Sequence, residues 1–141
     1  MINTDKFTKK AAEIIDGAVV CGSEMGHTYV GSEHILLSIA ADGTSAAAEI
    51  LIENGVSYDD IRREMTKLVG LGSPSTLNRR CFTTASKRIL ESAYSIAAAD
   101  KRRQAAPEHI LAAIIRESSC TACTVIRKTG EALQEYAADW R

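Results

Sequence analysis

The sequence of 141 residues lacks a hydrophobic run that could cross a bilayer. Its longest apolar stretch, Ile35 to Ala41, is interrupted by Ser38 and falls far short of the ~20 residues that a membrane-spanning helix needs. Residues 1–6 are polar overall and lack the apolar segment of a signal peptide. Apolar residues still make up 45% of the chain, which is enough for a buried core. We therefore expect a cytoplasmic protein without a membrane partner.

Nucleotide-binding and hydrolase motifs are also missing from the sequence. No Gly-Lys-Ser or Gly-Lys-Thr occurs, which excludes a Walker-type phosphate loop. The pair Gly70 and Gly72 lacks both the third glycine and the preceding strand of a dinucleotide fingerprint. No Gly-x-Ser-x-Gly elbow is present. We expect a chain without catalytic residues or cofactors that neither binds nor hydrolyses ATP.

The four cysteines and three histidines give little support for disulfides or metal centres. A disulfide framework is not expected in a cytosolic chain of this size. The Cys120-x-x-Cys123 motif has three interpretations: ordinary small helix residues, a redox pair at a helix N-terminus, or half of a zinc site whose other half is missing. We favour the first, and we expect replacement of both cysteines by alanine to preserve partner binding.

What the sequence does contain is an internal repeat with an offset of 75 residues. Aligning Phe7 with Phe82 without gaps gives eleven identities in 49 positions. They include the Phe-Thr pair itself and four consecutive residues, Glu33 to Leu36 against Glu108 to Leu111. A tandem duplication gives a chain two equivalent faces, which suits binding better than a single catalytic centre.

Hydrophobic periodicity predicts four helices in each repeat. Thr8 and Ser32 are the predicted N-caps of the first two helices, and Gly26 and Gly55 are predicted to end the first and third. Strand alternation is not convincing anywhere, so we expect an all-α fold of eight helices in two pseudo-symmetric sets. The predicted helices are Thr8–Met25, Glu33–Ala41, Ser45–Asn54 and Ser57–Val69, then Thr83–Ala99, Pro107–Arg116, Cys120–Thr129 and Glu131–Trp140.

The domain organisation follows from the same repeat. Residues 6–70 form the first repeat and residues 81–140 the second, joined by a linker over residues 71–80. The breaker cluster from Gly70 to Ser75 marks the start of this linker. Four short helices alone bury little apolar surface, so we expect both repeats to complete one core within a single domain, 1–141.

Two pairs of residues are candidates for ligand binding. Glu33 and Glu108 each stand at the start of a helix, where a carboxylate either stabilises the helix dipole or receives a cationic group from a partner. The amides that follow Thr8 and Thr83 could hold an anion. A ligand with a guanidinium and a phosphoryl group would need both features. We expect Glu33 to share a pocket with Thr8, and Glu108 with Thr83.

Two further residue pairs recur in the repeat. His34 and His109 each follow a glutamate, which suits either acid–base chemistry or a structural bond near the helix start; we favour the structural role. Phe7 and Phe82 precede predicted caps and are expected to be hydrophobic staples or anchors between the repeats, with peptide binding by an exposed aromatic ring as the alternative.

The repeated order of Phe-Thr, the segment Gly26 to Leu37 and a small-residue helix ending at glycine resembles the Clp N-terminal repeat domain of Clp/Hsp100 AAA+ unfoldases, closest to the ClpC type. The resemblance covers about residues 6–140 and implies an all-α fold that docks protein substrates and adaptor proteins for an ATP-driven ring. For the ClpC type it also implies a receptor for phosphoarginine. The residues that match the family's ligand-binding positions would be Glu33 and Glu108 for the guanidinium, Thr8 and Thr83 at helix starts, and the basic Lys6.

The second repeat departs from this pattern. Lys101-Arg102 replaces Gly-His, and Ala106-Pro107 replaces Gly-Ser, so we expect Glu33 to contribute more to binding than Glu108. The alternative function is a helical nucleic-acid-binding protein that uses Lys101 to Arg103 and the basic second half. A pI near 6.3, the lack of a long basic stripe and the lack of a recognition motif argue against nucleic acid as a partner. A thiol-redox enzyme ranks third.

Overall fold

The computed structural model describes residues 4–129 of the chain. Within this range only two isolated bridges occur in place of strands, and the all-α prediction is confirmed. The predicted eighth helix, 131–140, lies outside the described residues. The α-helices are α1 (Lys9–Glu24), α2 (Ser32–Asp42), α3 (Ala46–Glu53), α4 (Tyr58–Val69), α5 (Thr84–Ala99), α6 (Pro107–Arg116) and α7 (Thr121–Thr129), with short 3-10 turns at Thr4–Lys6 and Arg79–Cys81.

Side-chain hydroxyls set the starts of the long helices as predicted. The Oγ1 atom of Thr8 accepts a hydrogen bond from the Ala11 N–H at 3.2 Å, and Thr83 Oγ1 accepts from the Ser86 N–H at 3.1 Å. Each bond satisfies one of the amide donors that a helix start leaves without an intrahelical acceptor. At the other end of the third helix, Gly55 takes the predicted left-handed conformation, with φ of 75°.

The start of α2 differs from the prediction by one residue. Gly31 is the N-cap, and Ser32 is the first helical residue. The predicted cap is wrong because the Ser32 hydroxyl is used elsewhere: its Oγ accepts a hydrogen bond from the Ala122 N–H of α7 at 3.1 Å. A contact between the two repeats has therefore overridden a local capping preference.

The helices of both repeats share one hydrophobic core. In each repeat the first long helix packs along the second, α1 on α2 and α5 on α6. The second helices are nearly all buried, and they also contact each other across the repeat boundary. No single helix among residues 4–129 is long and apolar enough to span a membrane; α2–α3 and α6–α7 reach that length only as pairs bent by 93° and 94°.

Each repeat begins by docking onto the other repeat. Phe7 forms a parallel bridge with Ala105, just before α6, and Phe82 forms one with Val30, just before α2. Thr83 N–H donates to the Val30 carbonyl at 3.0 Å, and Thr8 N–H donates to the Ala105 carbonyl at 2.9 Å. Both phenylalanines are buried, at 5% and 4% exposure, which agrees with their interpretation as anchors between the repeats.

Two buried histidines complete the starts of α2 and α6. His34 Nδ1 accepts from the Gly31 N–H at 2.8 Å, and His109 Nδ1 accepts from the Ala106 N–H at 2.9 Å. These bonds confirm the structural role of both rings. In the first repeat a series of hydrogen bonds extends from His34. His34 Nε2 lies 2.6 Å from His27 Nδ1, and His27 Nε2 lies 2.9 Å from the Gly70 carbonyl oxygen. The Gly70 carbonyl can only accept, so His27 donates from Nε2. The Gly31 amide can only donate, so His34 Nδ1 carries no proton and His34 donates from Nε2 to His27 Nδ1. In this arrangement both rings are neutral.

Acidification should destabilise the fold through His34. Burial, with the neighbouring His27, lowers the pKa of His34 to about 4. The unfolded chain takes up a proton near pH 6.5 while the folded one does not, so stability is lost as the pH falls from about 6.5 to 4, at ~1.4 kcal/mol per pH unit. His34→Gln keeps an acceptor for the Gly31 amide. Denaturant unfolding should show a flatter pH profile for this variant below about pH 6.5 and a constant offset near pH 8. Parallel profiles for both proteins would contradict this assignment.

Candidate ligand-binding site

The starts of three helices meet around one pocket of about 310 Å³. Helices α2, α5 and α7 each direct their N-terminal end toward it, and the positive ends of helix dipoles favour anionic groups. One of its lining side chains, that of Glu33, is acidic. The lining residues are Tyr29, Gly31, Ser32, Glu33, Thr83, Ala85, Ser119, Cys120 and Thr121.

Glu33 is the central charged group of the pocket. It is the second residue of α2, one place later than predicted, and it is only 3% exposed. The Tyr29 hydroxyl donates a hydrogen bond to Glu33 Oε2 at 2.9 Å. Burial and the adjacent carboxylate raise the pKa of Tyr29, so this donor stays protonated at neutral pH. The bond fixes the orientation of the carboxylate, and the lone pairs that Tyr29 does not use can accept from a cationic ligand.

Gly31 makes room for this carboxylate. A Cβ atom on residue 31 would lie 2.2 Å from Glu33 Oε1, far closer than van der Waals contact allows. In the second repeat the same position is Ala106, and its backbone angles of −95° and 168° are close to the −103° and −179° of Gly31. Glu108 therefore cannot take the equivalent orientation, and it is half-buried where Glu33 is buried. The methyl group of Ala106 is therefore one structural difference between the surroundings of Glu33 and Glu108.

Helix α5 supplies amide donors opposite Glu33. The Thr83 N–H is bonded to Val30, and the Ser86 N–H is bonded to the Thr83 hydroxyl. Thr84 and Ala85 are the first two helical residues, and N–H groups at these positions point out of a helix end. Ala85 itself lines the pocket. The site thus places a fixed carboxylate and a helix start in one cavity.

The pairing of glutamates with threonines is the reverse of the prediction. Glu33 shares its pocket with Thr83, whereas Thr8 bonds to Ala105, next to the start of the helix that carries Glu108. The prediction was wrong because it kept each pair within one repeat. In the structure each repeat docks its first segment onto the other, so each threonine meets the loop before the partner repeat's glutamate.

Lys6 lies outside the Glu33 pocket. It lines a separate cavity of about 400 Å³ beside Phe7 and Tyr94. Its Nζ atom stands 4.8 Å from the centroid of the Tyr94 ring, a cation–π contact. Its backbone carbonyl accepts from the Ala105 N–H at 2.8 Å. The structure therefore does not bring Lys6 together with Glu33 and Thr83.

Sequence reasoning did not place Tyr29, Gly31 or the residues from Ser119 to Thr121 in the ligand-binding pocket. Tyr29 and Gly31 belong to the same segment as Glu33, and Tyr29 precedes it by four residues. That proximity is a signal, although the hydrogen bond and the missing Cβ become visible only in three dimensions. The wall at Ser119 to Thr121 comes from the other repeat, and no local pattern points to it.

Comparison with known families decides the identity of the domain. A family model described as the Clp repeat (R) N-terminal domain matches residues 6–79 and again residues 81–139. The chain belongs to this family. The resemblance to the Clp N-terminal repeat domain is thereby confirmed.

Relatives of this Clp repeat domain are Clp chaperone subunits. The chain is 33% identical over 126 residues to the chloroplastic chaperone protein ClpC1 of Arabidopsis thaliana, covering 89% of this chain and 14% of that protein. It is 35% identical over 122 residues to the ATP-dependent Clp protease ATP-binding subunit ClpA homolog of Guillardia theta, covering 86% of this chain and 15% of that protein. The chain thus spans about 14–15% of the length of these relatives.

Solved structures share the fold. The N-terminal domain of ClpD from Arabidopsis thaliana superposes with a TM-score of 0.78 at 20% identity, covering 97% of this chain and 94% of that one. The N-domain of ClpV from Vibrio cholerae gives a TM-score of 0.72 at 15% identity, covering 96% and 85%. At these identities the likeness concerns the fold alone.

Proposed function

We propose that this Clp repeat domain docks protein substrates and adaptor proteins for an AAA+ unfoldase ring, and that its Glu33–Thr83 pocket recognises phosphoarginine on proteins marked for degradation. The observation that carries the proposal is the buried, oriented Glu33 carboxylate beside the helix start at Thr83. The family membership supports the docking role. The cytoplasmic location stays a prediction.

The two halves of phosphoarginine would meet complementary groups. The guanidinium would donate to the Glu33 carboxylate, which accepts a planar fork with two parallel hydrogen bonds. The phosphoryl oxygens would accept from the N–H groups at the start of α5, next to Thr83. A bare phosphate would be repelled by Glu33, and arginine alone would leave the amides without an anion. Selectivity comes from the need for both charges at a fixed separation.

Nucleic-acid binding gains no support from the basic residues. Lys101, Arg102 and Arg103 lie in the turn between α5 and α6 and not along a helix face. Lys101 takes a left-handed conformation with φ of 60°, in the place where the first repeat has Gly26 with φ of 74°. Such a turn offers neither a recognition helix nor an extended stripe for phosphates.

Calorimetry with three small ligands tests the proposed specificity. Phosphoarginine should bind at least about tenfold more tightly than arginine or phosphoserine, because each competitor lacks one of the two charged groups. The titrations should share one buffer and ionic strength, since exposed charges are screened by salt. Equal affinity for all three ligands, or no binding of phosphoarginine at millimolar concentration, would leave adaptor docking as the function and remove phosphoarginine from it.

A further inference from the structure

Two cysteines stand together at the start of α7. Cys120 immediately precedes the helix, and Cys123 lies in its first turn. The Cys120 carbonyl accepts from the N–H groups of Cys123 and Thr124 at 3.1 and 3.3 Å. Both sulfurs face one acceptor, the Ile114 carbonyl oxygen, at 3.6 Å for Cys120 and 3.0 Å for Cys123. The two thiols are therefore on the same side of the helix start.

The two thiols differ in access and in acidity. Cys120 is 6% exposed and lines the Glu33 pocket, whereas Cys123 is fully buried behind it. The contact with the Cys123 side chain lowers the pKa of Cys120 despite its burial. The same contact and burial raise the pKa of Cys123. Thiolates at helix N-termini in Cys-x-x-Cys motifs are the usual nucleophiles of thiol–disulfide exchange.

The half-zinc interpretation of this pair gains no ligand from the structure. Among residues 4–129 no group of three or more histidine, cysteine, aspartate or glutamate side chains could hold a metal ion. The other two cysteines, Cys21 and Cys81, are half-buried and lie on other elements, α1 and the 3-10 turn before α5. Without further ligands, two interpretations of the pair remain: ordinary small helix residues, or a redox pair beside the pocket.

We infer that Cys120 and Cys123 form a dithiol site for exchange with small cationic disulfides that enter the Glu33 pocket. The Cys120 thiolate attacks one sulfur of the incoming disulfide, forming a mixed disulfide and releasing one small thiolate. The Cys123 thiol then gives its proton to the released small thiolate, and its sulfur attacks the Cys120 sulfur and releases the second small thiolate. The protein pair loses two electrons and two protons, and the small disulfide is reduced to two thiols. Glu33 attracts the cationic reagent.

Oxidation should alter the pocket. Side chains three positions apart on a helix have Cβ atoms about 5–6 Å apart, more than the ~3.5–4.5 Å across a disulfide. Closing the bond therefore draws Cys120 toward Cys123 and moves the pocket wall from Ser119 to Thr121. On the proposed function, which this part of the inference rests on, the oxidised domain should bind phosphoarginine several-fold more weakly than the reduced one.

Intact-mass spectrometry tests the exchange site. All proteins carry Cys21→Ser and Cys81→Ser, and each is treated with cystamine, the disulfide of 2-aminoethanethiol. The Cys120/Cys123 protein should lose two hydrogens. Cys123→Ala should stop at one attached aminoethylthio group, and Cys120→Ala should stay unmodified over the same time. The inference would be overturned if Cys120→Ala reacted with cystamine as fast as Cys123→Ala. It would also be overturned if the folded protein with both cysteines did not react while the denatured protein reacted fully.

The role of Glu33 has its own comparison. The rate ratio of cystamine to the neutral bis(2-hydroxyethyl) disulfide should fall by about tenfold in Glu33→Gln, since the pocket then loses its attraction for the cation. An unchanged ratio would remove the cationic preference. Failure of the reduced protein to bind phosphoarginine would remove phosphoarginine recognition from the proposed function, yet the measured masses would still decide the exchange site. If exchange is normal but the reduced and oxidised proteins bind phosphoarginine equally, the exchange site stands. Only the expected effect of oxidation on phosphoarginine affinity is then wrong.

Discussion

Replacing Glu33 with glutamine should weaken phosphoarginine binding by about 10- to 100-fold. Charge-assisted hydrogen bonds of the kind lost here are worth roughly 1.5–3 kcal/mol. Glutamine keeps the size of the side chain and an acceptor for the Tyr29 hydroxyl, so the effect isolates the charge. Calorimetric titration of the wild type and the variant measures it. Thermal unfolding should show that the variant is folded to the same extent.

Glu108→Gln is the matched control for this substitution. Glu108 repeats the position of Glu33, but Ala106 occupies the space that Gly31 leaves open. Its replacement should change the affinity for phosphoarginine less than the replacement of Glu33. Equal losses in both variants would mean that the repeats bind alike, and no loss in either would separate Glu33 from ligand binding.

Gly31→Ala should also reduce phosphoarginine binding by about tenfold or more, with the carboxylate itself intact. The added methyl group would lie 2.2 Å from Glu33 Oε1, so the carboxylate must turn away from its position and lose its paired acceptor geometry. The backbone of residue 31, with φ of −103°, accepts alanine without strain, and Ala106 holds the same conformation in the second repeat. Calorimetry measures the affinity, and circular dichroism checks the helical fold.

The reciprocal variant, Ala106→Gly, separates the steric effect from a general loss of stability. Any loss of folding stability from added flexibility at a helix start should appear in Ala106→Gly. The phosphoarginine affinity of the Glu33 pocket should not change in this variant. Wild-type affinity in Gly31→Ala would show that the open space beside Glu33 is not needed for binding.

Helix positions could be predicted from the sequence because their signals are local. Thr8 and Thr83 cap the two long helices, where a hydroxyl next to an apolar periodicity predicted the caps. Ser32 shows the limit of this reasoning. The same residue type before the same kind of helix gives its hydroxyl to Ala122, ninety residues away, and the cap moves to Gly31.

Of the five predicted site residues, two line the Glu33 pocket, and their arrangement could not be predicted. The repeat singled out Glu33 and Thr83 because each recurs at a helix start. Which threonine faces which glutamate depends on the docking of Phe82 against Val30, a contact between the two repeats that no spacing reveals. The same holds for Cys120, whose place in the wall of the Glu33 pocket follows from the packing of α7 against α2.

The most direct test of a pocket built from both repeats is a map of amide chemical shifts. A ¹⁵N-labelled Glu108→Gln protein, in which the second repeat lacks its candidate carboxylate, would be titrated with phosphoarginine and followed by NMR. The largest shifts should fall together on Glu33 and on Thr84 and Ala85 at the start of α5. Shifts at Glu33 accompanied by Lys9 and Lys10 at the start of α1, with Thr84 and Ala85 unmoved, would contradict the pairing of Glu33 with Thr83.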